Sequence, residues 1–139
     1  FGVSVRKALI AFRFSGENVS RIMPLLTTVR DSLKRNGVEA YCTLFDEDRF
    51  KDKSVKAKEI MAHAFYLIDN SDILFVVQSS EERSEGMLLE VGYSIAKGII
   101  VVVATKSGVR NTYLPEMGTV AFEWSDPEDL SEKIDKLNL

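Results

Sequence analysis

Short apolar runs and longer amphipathic stretches alternate along the whole chain. Apolar runs predict five β-strands, at residues 7–12, 39–44, 72–77, 99–103 and 120–124. Between the runs, apolar residues recur at every third or fourth position, which is typical of helices that bury one face. The third and fourth runs are apolar at nearly every position, as expected for central strands that are covered on both sides.

Helix signals occupy the segments between these strands and follow the last one. In the first helix, Pro24 is expected near the first turn, where a missing N–H costs little, and Asn36-Gly37 marks the end. Ser54 is a candidate cap for the second helix. The third helix is expected over residues 85–97, and a long polar loop is expected over residues 104–118.

Strict alternation of strands and helices implies a parallel sheet with helices on both faces. We therefore expect a single α/β domain over residues 1–139, flavodoxin- or Rossmann-like and doubly wound, with five parallel strands in the order 2-1-3-4-5. Ligands of such sheets bind beyond the carboxyl ends of the strands, where the strand order reverses. The order places this point at the loops of residues 12–18 and 78–86.

Composition and charge exclude several classes of function. The chain has 18 basic and 21 acidic residues and a net charge of -3, whereas a nucleic-acid coat needs a basic face. The longest strongly apolar stretch, residues 99–104, is far shorter than the ~20 residues that span a bilayer. A single cysteine, Cys42, suits a reducing compartment and is interpreted as a small buried residue. With His63 as the single histidine, a structural zinc site is not expected.

The first candidate loop combines a glycine and small polar residues with a cation. Ser15 and Gly16 lie at a strand-to-helix turn, where backbone N–H groups can face an anion, and Arg13 can pair with a phosphate. The loop contains neither GxGxxG nor GxxxxGK[ST], so an ordinary turn with a solvated arginine remains the alternative.

The second candidate loop leads into the third helix. Ser84 is a natural N-cap, and Gly86 costs the first turn about 1 kcal/mol relative to alanine, which suggests that another group approaches the helix start closely, with a chance glycine as the alternative. Helical periodicity puts Glu90 opposite the expected core face, either in solvent or overlooking the cleft or a partner subunit. The expected core face consists of Leu88, Val91, Gly92 and Ile95.

Residues 84–98, SEGMLLEVGYSIAKG, resemble the nucleoside 2-deoxyribosyltransferase family. The most specific feature is the motif GxxxExGY from Gly86 to Tyr93. The preceding Asn70-Ser71-Asp72 and the opening strand with its glycine loop are also similar, so the resemblance covers about residues 7–130.

The resemblance implies an enzyme that cleaves the N-glycosidic bond of (deoxy)nucleosides or their 5′-monophosphates. The motif glutamate, Glu90 here, is the family's nucleophile, which forms a covalent glycosyl-enzyme that is released to water or to another base. The resemblance also implies no metal or redox cofactor, a cytoplasmic role in nucleotide metabolism, and a homodimer or higher homo-oligomer whose subunits complete each other's pockets.

Two positions depart from the family's pattern. Transferases usually have an aspartate six residues before the nucleophile, where this chain has Ser84, and a serine there resembles the branch that hydrolyses nucleoside 5′-monophosphates. The family's carboxylate in the second helix is replaced by Ala64. His63 lies one position away and, since imidazole titrates near neutral pH, is a candidate acid for the departing base. The alternative is a surface or core histidine.

Hydrolysis of a nucleoside 5′-monophosphate is therefore the leading interpretation, ahead of base exchange. The alternative is a catalytically inactive nucleotide-binding or sensor domain of the same fold. A receiver-like signalling domain is disfavoured, because the third strand ends in Gln78 rather than aspartate.

Asp46 and Asp48 either contact the base or are solvated. Glu90 and His63 are the expected catalytic residues, and the expected substrate contacts are Phe12, Arg13, Phe14, Ser15, Gly16, Ser84, Gly86, Met87 and Asn111.

Overall fold

The computed structural model describes residues 5–13, 18–45 and 55–139. The strands in these ranges are β1 (Arg6–Ala11), β2 (Val38–Tyr41), β3 (Ile73–Gln78), β4 (Ile100–Lys106) and β5 (Val120–Trp124). The α-helices in the same ranges are α1 (Val19–Arg35), α2 (Ala57–Asp69), α3 (Glu85–Lys97), α4 (Leu114–Met117) and α5 (Pro127–Asp135), and a 3₁₀ turn covers Thr43–Phe45.

All five strands pair in parallel in the order β2-β1-β3-β4-β5, so the predicted fold class and strand order are confirmed. In the middle of the sheet, Ala8 of β1 is in register with Ala40 of β2 on one side and Ile73 of β3 on the other. Because β1 lies between β2 and β3, the connections that leave β1 and β3 diverge and open a crevice at the carboxyl edge of the sheet.

Apolar side chains fill two layers, one on each face of the sheet. In β3, Phe75 belongs to the layer covered by α1 and α5, whereas Leu74 and Val76 belong to the layer covered by α2, α3 and α4. This double burial explains why β3 is apolar at every position but its last. The helices contribute Leu26, Val29, Leu33, Leu130 and Ile134 to the first layer and Ile68, Met87, Val91 and Leu114 to the second.

The start of α1 differs from the prediction. Asn18 caps the helix by accepting a hydrogen bond from the backbone N–H of Ser20 at 3.0 Å, so Pro24 is the sixth helical residue and not part of the first turn. The missing N–H of Pro24 therefore removes a bond to the carbonyl of Ser20, and both residues face solvent. The predicted end is confirmed, since Asn36 is the C-cap and Gly37 follows with a φ of 79°.

The predicted boundaries of the second strand and of the loop after the fourth strand were also wrong. Packing in the folded chain interrupts the apolar pattern of the one and extends burial into the other. The second strand ends at Tyr41, and the 3₁₀ turn replaces the rest of the predicted run. The predicted loop over residues 104–118 contains the end of β4, with Ala104 and Thr105 buried, and the short helix α4, which buries Leu114. The helix α2 begins at Ala57 with Lys56 as its N-cap, whereas Ser54 lies outside the described residues.

In the described ranges, none of the helices has both the length and the apolar character needed to cross a bilayer.

Candidate active site

A cavity of about 230 Å³ lies beyond the carboxyl end of β1, between the second helix and the start of the third. This is the crevice that the strand order predicts. The candidate residues on its wall are Phe12, His63, Ser84, Gly86, Met87 and Glu90. The other described lining residues are mostly apolar: Leu9, Ile10, Tyr41, Thr43, Val55, Glu59, Ile60, Met61 and Ala64.

The rotation of α3 decides where Glu90 points. The buried face of this helix consists of Met87, Val91 and Ser94, so the predicted core positions Gly92 and Ile95 were wrong, since both are exposed. The helix is apolar on several sides, and periodicity alone therefore allowed more than one core face. With the observed face inward, Glu90 borders the buried stripe, is partly buried and reaches the cavity wall.

Burial raises the pKa of the Glu90 carboxyl from 4.5 to about 7. The physical cause is the apolar wall, which disfavours the charged form by removing water from it. A carboxyl group that ionises near neutral pH in a cleft is typical of functional sites. The arrangement therefore provides a poorly solvated carboxylate that can bond to, or stabilise, a developing cation.

Cys42 lies behind the cavity wall and stays a thiol. Its side chain is fully buried, and burial together with the nearby charge of Glu90 raises the pKa of the thiol to about 12. Since the thiolate is the nucleophilic form, this cysteine is inert at neutral pH. The interpretation of Cys42 as a small buried residue therefore fits its surroundings.

The second helix brings both His63 and Ala64 to the cavity. Ala64 is buried and His63 is partly buried, so the offset of one residue does not keep the imidazole away from the cleft. The sequence analysis missed Glu59, which also lines the cavity, although its spacing of four residues from His63 was a usable signal. Among the described residues, no group of three or more His, Cys, Asp or Glu side chains could hold a metal ion.

The amino-terminal turn of α3 forms the other end of the cavity. Ser84 caps the helix, because its Oγ accepts a hydrogen bond from the N–H of Met87 at 3.2 Å. A Cβ on Gly86 would meet Met61 Sδ at 3.7 Å and Ser84 Oγ at 4.0 Å, which are ordinary contacts. Packing within the protein therefore does not require this glycine. Its absent side chain leaves space for a ligand beside the first-turn N–H groups, which lack helical acceptors.

Arg13 lies at the edge of the described structure next to the segment that precedes α3. Its Nη2 is 2.5 Å from Oε2 of Glu82, and the arginine side chain is only 18% exposed. Arg13 is not part of the cavity wall described above. The neighbouring candidates Phe14, Ser15 and Gly16, and the loop carboxylates Asp46 and Asp48, lie outside the described residues.

Asn111 is not brought to the Glu90 cavity. It adopts a left-handed conformation with a φ of 56° and lines two other depressions, one of which shares Ser84 and Met87 with the Glu90 cavity. The loop is tied to that segment, because Gln78 Nε2 donates to Thr112 Oγ1 at 2.9 Å and the N–H of Arg110 donates to Glu81 Oε1 at 2.9 Å. The buried amide of Gln78 was not identified as a tether from the sequence.

Solved structures of other proteins share this fold, and three of them are similar over nearly the whole chain. The CMP N-glycosidase BcmB of Clostridium botulinum has a TM-score of 0.69 and 12% identity, over 94% of this chain and 98% of that one. A conserved protein of Enterococcus faecalis V583 has a TM-score of 0.64 and 20% identity, over 96% and 99% of the two chains. A 2-deoxyribosyltransferase of Bacillus psychrosaccharolyticus has a TM-score of 0.64 and 15% identity, over 90% of each chain.

Sequence comparison identifies a family but no individual relative. No curated protein sequence matches this chain. The family model described as nucleoside 2-deoxyribosyltransferase matches residues 22–121, which include α2, β3 and the GxxxExGY motif of α3. Because that match spans more than two thirds of the sequence, the chain belongs to the nucleoside 2-deoxyribosyltransferase family.

Proposed function

We propose that this protein cleaves the N-glycosidic bond of a (deoxy)nucleoside 5′-monophosphate or a nucleoside, with Glu90 as the nucleophile and water favoured over a second base as the acceptor. The observation that carries the proposal is the position of Glu90, whose carboxyl is partly buried on the wall of an apolar cavity at the reversal point of the sheet. The membership of the family supports the reaction class.

In the first step, an ionised oxygen of Glu90 attacks C1′ of the sugar. A bond forms between this oxygen and C1′ as the bond from C1′ to the base nitrogen breaks, and the base leaves with the electron pair. His63, on the same cavity wall, donates a proton to the departing base. In the second step, water or another base attacks C1′, its proton passes to His63, and the ester breaks to release Glu90 as a carboxylate.

The apolar surroundings of Glu90 favour this chemistry. Positive charge develops on the sugar in the transition state, and a carboxylate in a water-poor site stabilises it more strongly than one in bulk water. The same surroundings raise the pKa of the free carboxyl to about 7, so the active ionised form accumulates as the pH rises through neutrality. The profile of kcat/KM against pH is therefore expected to be bell-shaped, with a rise as Glu90 ionises and a fall at the pH where His63 no longer holds the proton that it donates.

The preference for a 5′-phosphate rests on the first turn of α3 and on Arg13. Helix N-termini attract anions through their N–H groups and dipole, and Ser84 and Gly86 place such a terminus on the cavity wall. Arg13 adds a cation beside the same segment. The resemblance of Ser84 to the hydrolase branch points in the same direction.

One assay tests the proposal and separates its alternatives. The protein is incubated with ribo- and deoxynucleosides and their 5′-monophosphates, with and without a free acceptor base, and products are separated by liquid chromatography. Base released without an acceptor supports hydrolysis, whereas a new nucleoside formed only with an acceptor supports transfer. Nucleotide binding with no product under any condition would favour the inactive sensor domain, in keeping with Ala64 at the family's acid position.

Replacing His63 is expected to slow the reaction according to how much the leaving base needs a proton. His63→Ala should lower kcat/KM, which reports the step that releases the base, by about 100-fold for ordinary nucleotides, since general acid catalysis contributes at least that much. A nucleotide with an N7-methylated purine loses its base without protonation and should be cleaved almost normally by the variant. Equal losses for both substrates would rule out His63 as the acid.

We also propose that the chain self-associates through the outer face of α3. Leu89 and Ile95 are 52% and 48% exposed there, and the exposed Gly92 and Ala96 lie on the same side of the helix, with Glu85 as the charged residue at its amino-terminal end. Leu89 adjoins Glu90, which would place a neighbouring subunit near the cavity. Sedimentation at tens of micromolar protein should give at least a dimer, and Leu89→Lys should give monomers. A monomeric wild-type protein would contradict this proposal.

A further inference from the structure

The ion pair between Arg13 and Glu82 joins two side chains with very different exposure. Arg13 Nη2 lies 2.5 Å from Glu82 Oε2, and the two side chains are 18% and 69% exposed. A guanidinium is always charged, so a mostly buried one needs an anion nearby. The exposed carboxylate of Glu82 can return to water at little cost when a stronger anion takes its place.

The position of the pair brings this cation close to the proposed phosphate site. Glu82 precedes the N-cap Ser84 by two residues, and two residues of chain span at most about 7 Å. Glu82 and Ser84 also line one depression together, so the Arg13–Glu82 pair lies beside the segment that leads into the first turn of α3, whose N–H groups also attract anions. The adjacent Glu81 contacts a different group, since its Oε1 accepts the N–H of Arg110 at 2.9 Å.

We infer that Glu82 competes with the substrate's 5′-phosphate for Arg13. The carboxylate of Glu82 is paired with the Arg13 guanidinium until the phosphate displaces it. This inference rests on the proposed function, because it requires a phosphate-bearing ligand at the start of α3. A phosphate dianion offers a guanidinium two parallel charge-assisted hydrogen bonds, which compete with the pairing to the exposed carboxylate of Glu82. An uncharged nucleoside leaves the pair intact, so Glu82 affects only ligands that carry the phosphate.

The substitution Glu82→Gln tests this directly, because it removes the competing charge and keeps the size of the side chain. Inorganic phosphate, titrated by ³¹P NMR, should bind the variant about fivefold more tightly than the wild type, the range expected for loss of one exposed ion pair. In a Glu90→Gln background that prevents turnover, calorimetry should give the same gain for CMP. Cytidine should bind both proteins equally.

Two controls separate the local pair from general electrostatics. Glu81→Gln changes the net charge by the same amount one residue away, keeps an oxygen for the N–H of Arg110, and should alter phosphate affinity less than twofold. In an Arg13→Gln background, adding Glu82→Gln should bring no gain, because the cation for which both anions compete is gone. Circular dichroism checks that each variant is folded.

The outcomes distinguish this inference from the function on which it rests. If the wild type binds CMP and Glu82→Gln binds it no more tightly than Glu81→Gln does, the competition is refuted and the proposed function stands. Weaker binding by Glu82→Gln would show that Glu82 positions Arg13 instead, which also refutes the competition. If neither protein binds phosphate or CMP while nucleosides are still cleaved, both the inference and the preference for a 5′-phosphate fail.

Discussion

Replacing Glu90 with alanine is expected to reduce cleavage of the N-glycosidic bond by about 10⁴-fold or more, because the reaction then loses its nucleophile and not only a favourable contact. The side chain lies on a cavity wall and is only partly buried, so the substitution should leave the fold intact. Release of free base from the best nucleotide of the assay, followed by chromatography, gives the rate.

The matched control is Glu85→Gln on the same helix. Glu85 is exposed, is not part of the cavity wall, and carries the same charge as Glu90. This control should retain the wild-type rate within about twofold, as expected for a surface change. A Glu90→Ala variant that keeps more than a tenth of the wild-type rate would remove Glu90 from the mechanism.

A covalent intermediate can be located by mass spectrometry. A nucleotide with fluorine at C2′ destabilises the positive charge on the sugar and slows the second step, so the glycosyl-enzyme should accumulate. We expect the added mass on the peptide that contains Glu90, and no adduct in Glu90→Gln. An adduct on another residue would transfer the role of nucleophile to that residue.

The sheet could be predicted from the sequence because its signals are local and redundant. The strand β3 is apolar on both faces, and the third helix has its cap Ser84 and its terminator Gly98 at the predicted positions. The strand order required one more step, the preference of alternating elements for parallel, doubly wound sheets. That preference was enough here, since strands and α-helices alternate along the residues that the structure describes.

The orientation of α3 could not be predicted, because its apolar residues surround much of the helix. Ile95 is as apolar as Val91 and Gly92 carries no polar group, so only packing against the sheet shows which of them are buried. The same limit applies to Glu90. The motif indicates its chemistry, but the cavity that it lines is completed by residues of other elements, such as Leu9 and Met61, which join it only in the folded chain.

The sequence predicts which kinds of residue are candidate phosphate contacts, but it does not predict which partners these residues have in the folded chain. The sequence indicates a cation in the loop after β1 and a cap at Ser84. That Arg13 is paired with Glu82 follows from two loops that meet at the edge of the sheet, 69 positions apart in the chain. No periodicity or motif connects such residues, because their contact depends on how each loop leaves its strand.

The second large effect expected of Glu90 is on stability, and it depends on pH. Burial raises the pKa of this carboxyl from 4.5 to about 7, so the folded protein keeps a proton that the unfolded chain has already released. Between these two pH values, rising pH therefore favours the unfolded state. The wild type should lose about 3 kcal/mol of unfolding free energy through this group between pH 4.5 and pH 8.

Glu90→Gln cannot ionise and should escape this loss. Its unfolding free energy, measured in urea, should be similar to that of the wild type near pH 4.5 and should exceed it by about 3 kcal/mol at pH 8. Other titrating groups are common to both proteins, so they cancel in the difference.

If Glu90→Gln is inactive but more stable than the wild type, the role of Glu90 is functional and not structural. A carboxylate kept for stability would make the protein less stable when it is replaced, whereas a carboxylate kept for catalysis can be costly to bury. A difference between Glu90→Gln and the wild type that stays constant from pH 4.5 to pH 8 would mean that Glu90 is well solvated in the folded protein. In that case, the apolar cavity would no longer explain why this carboxylate is a good nucleophile.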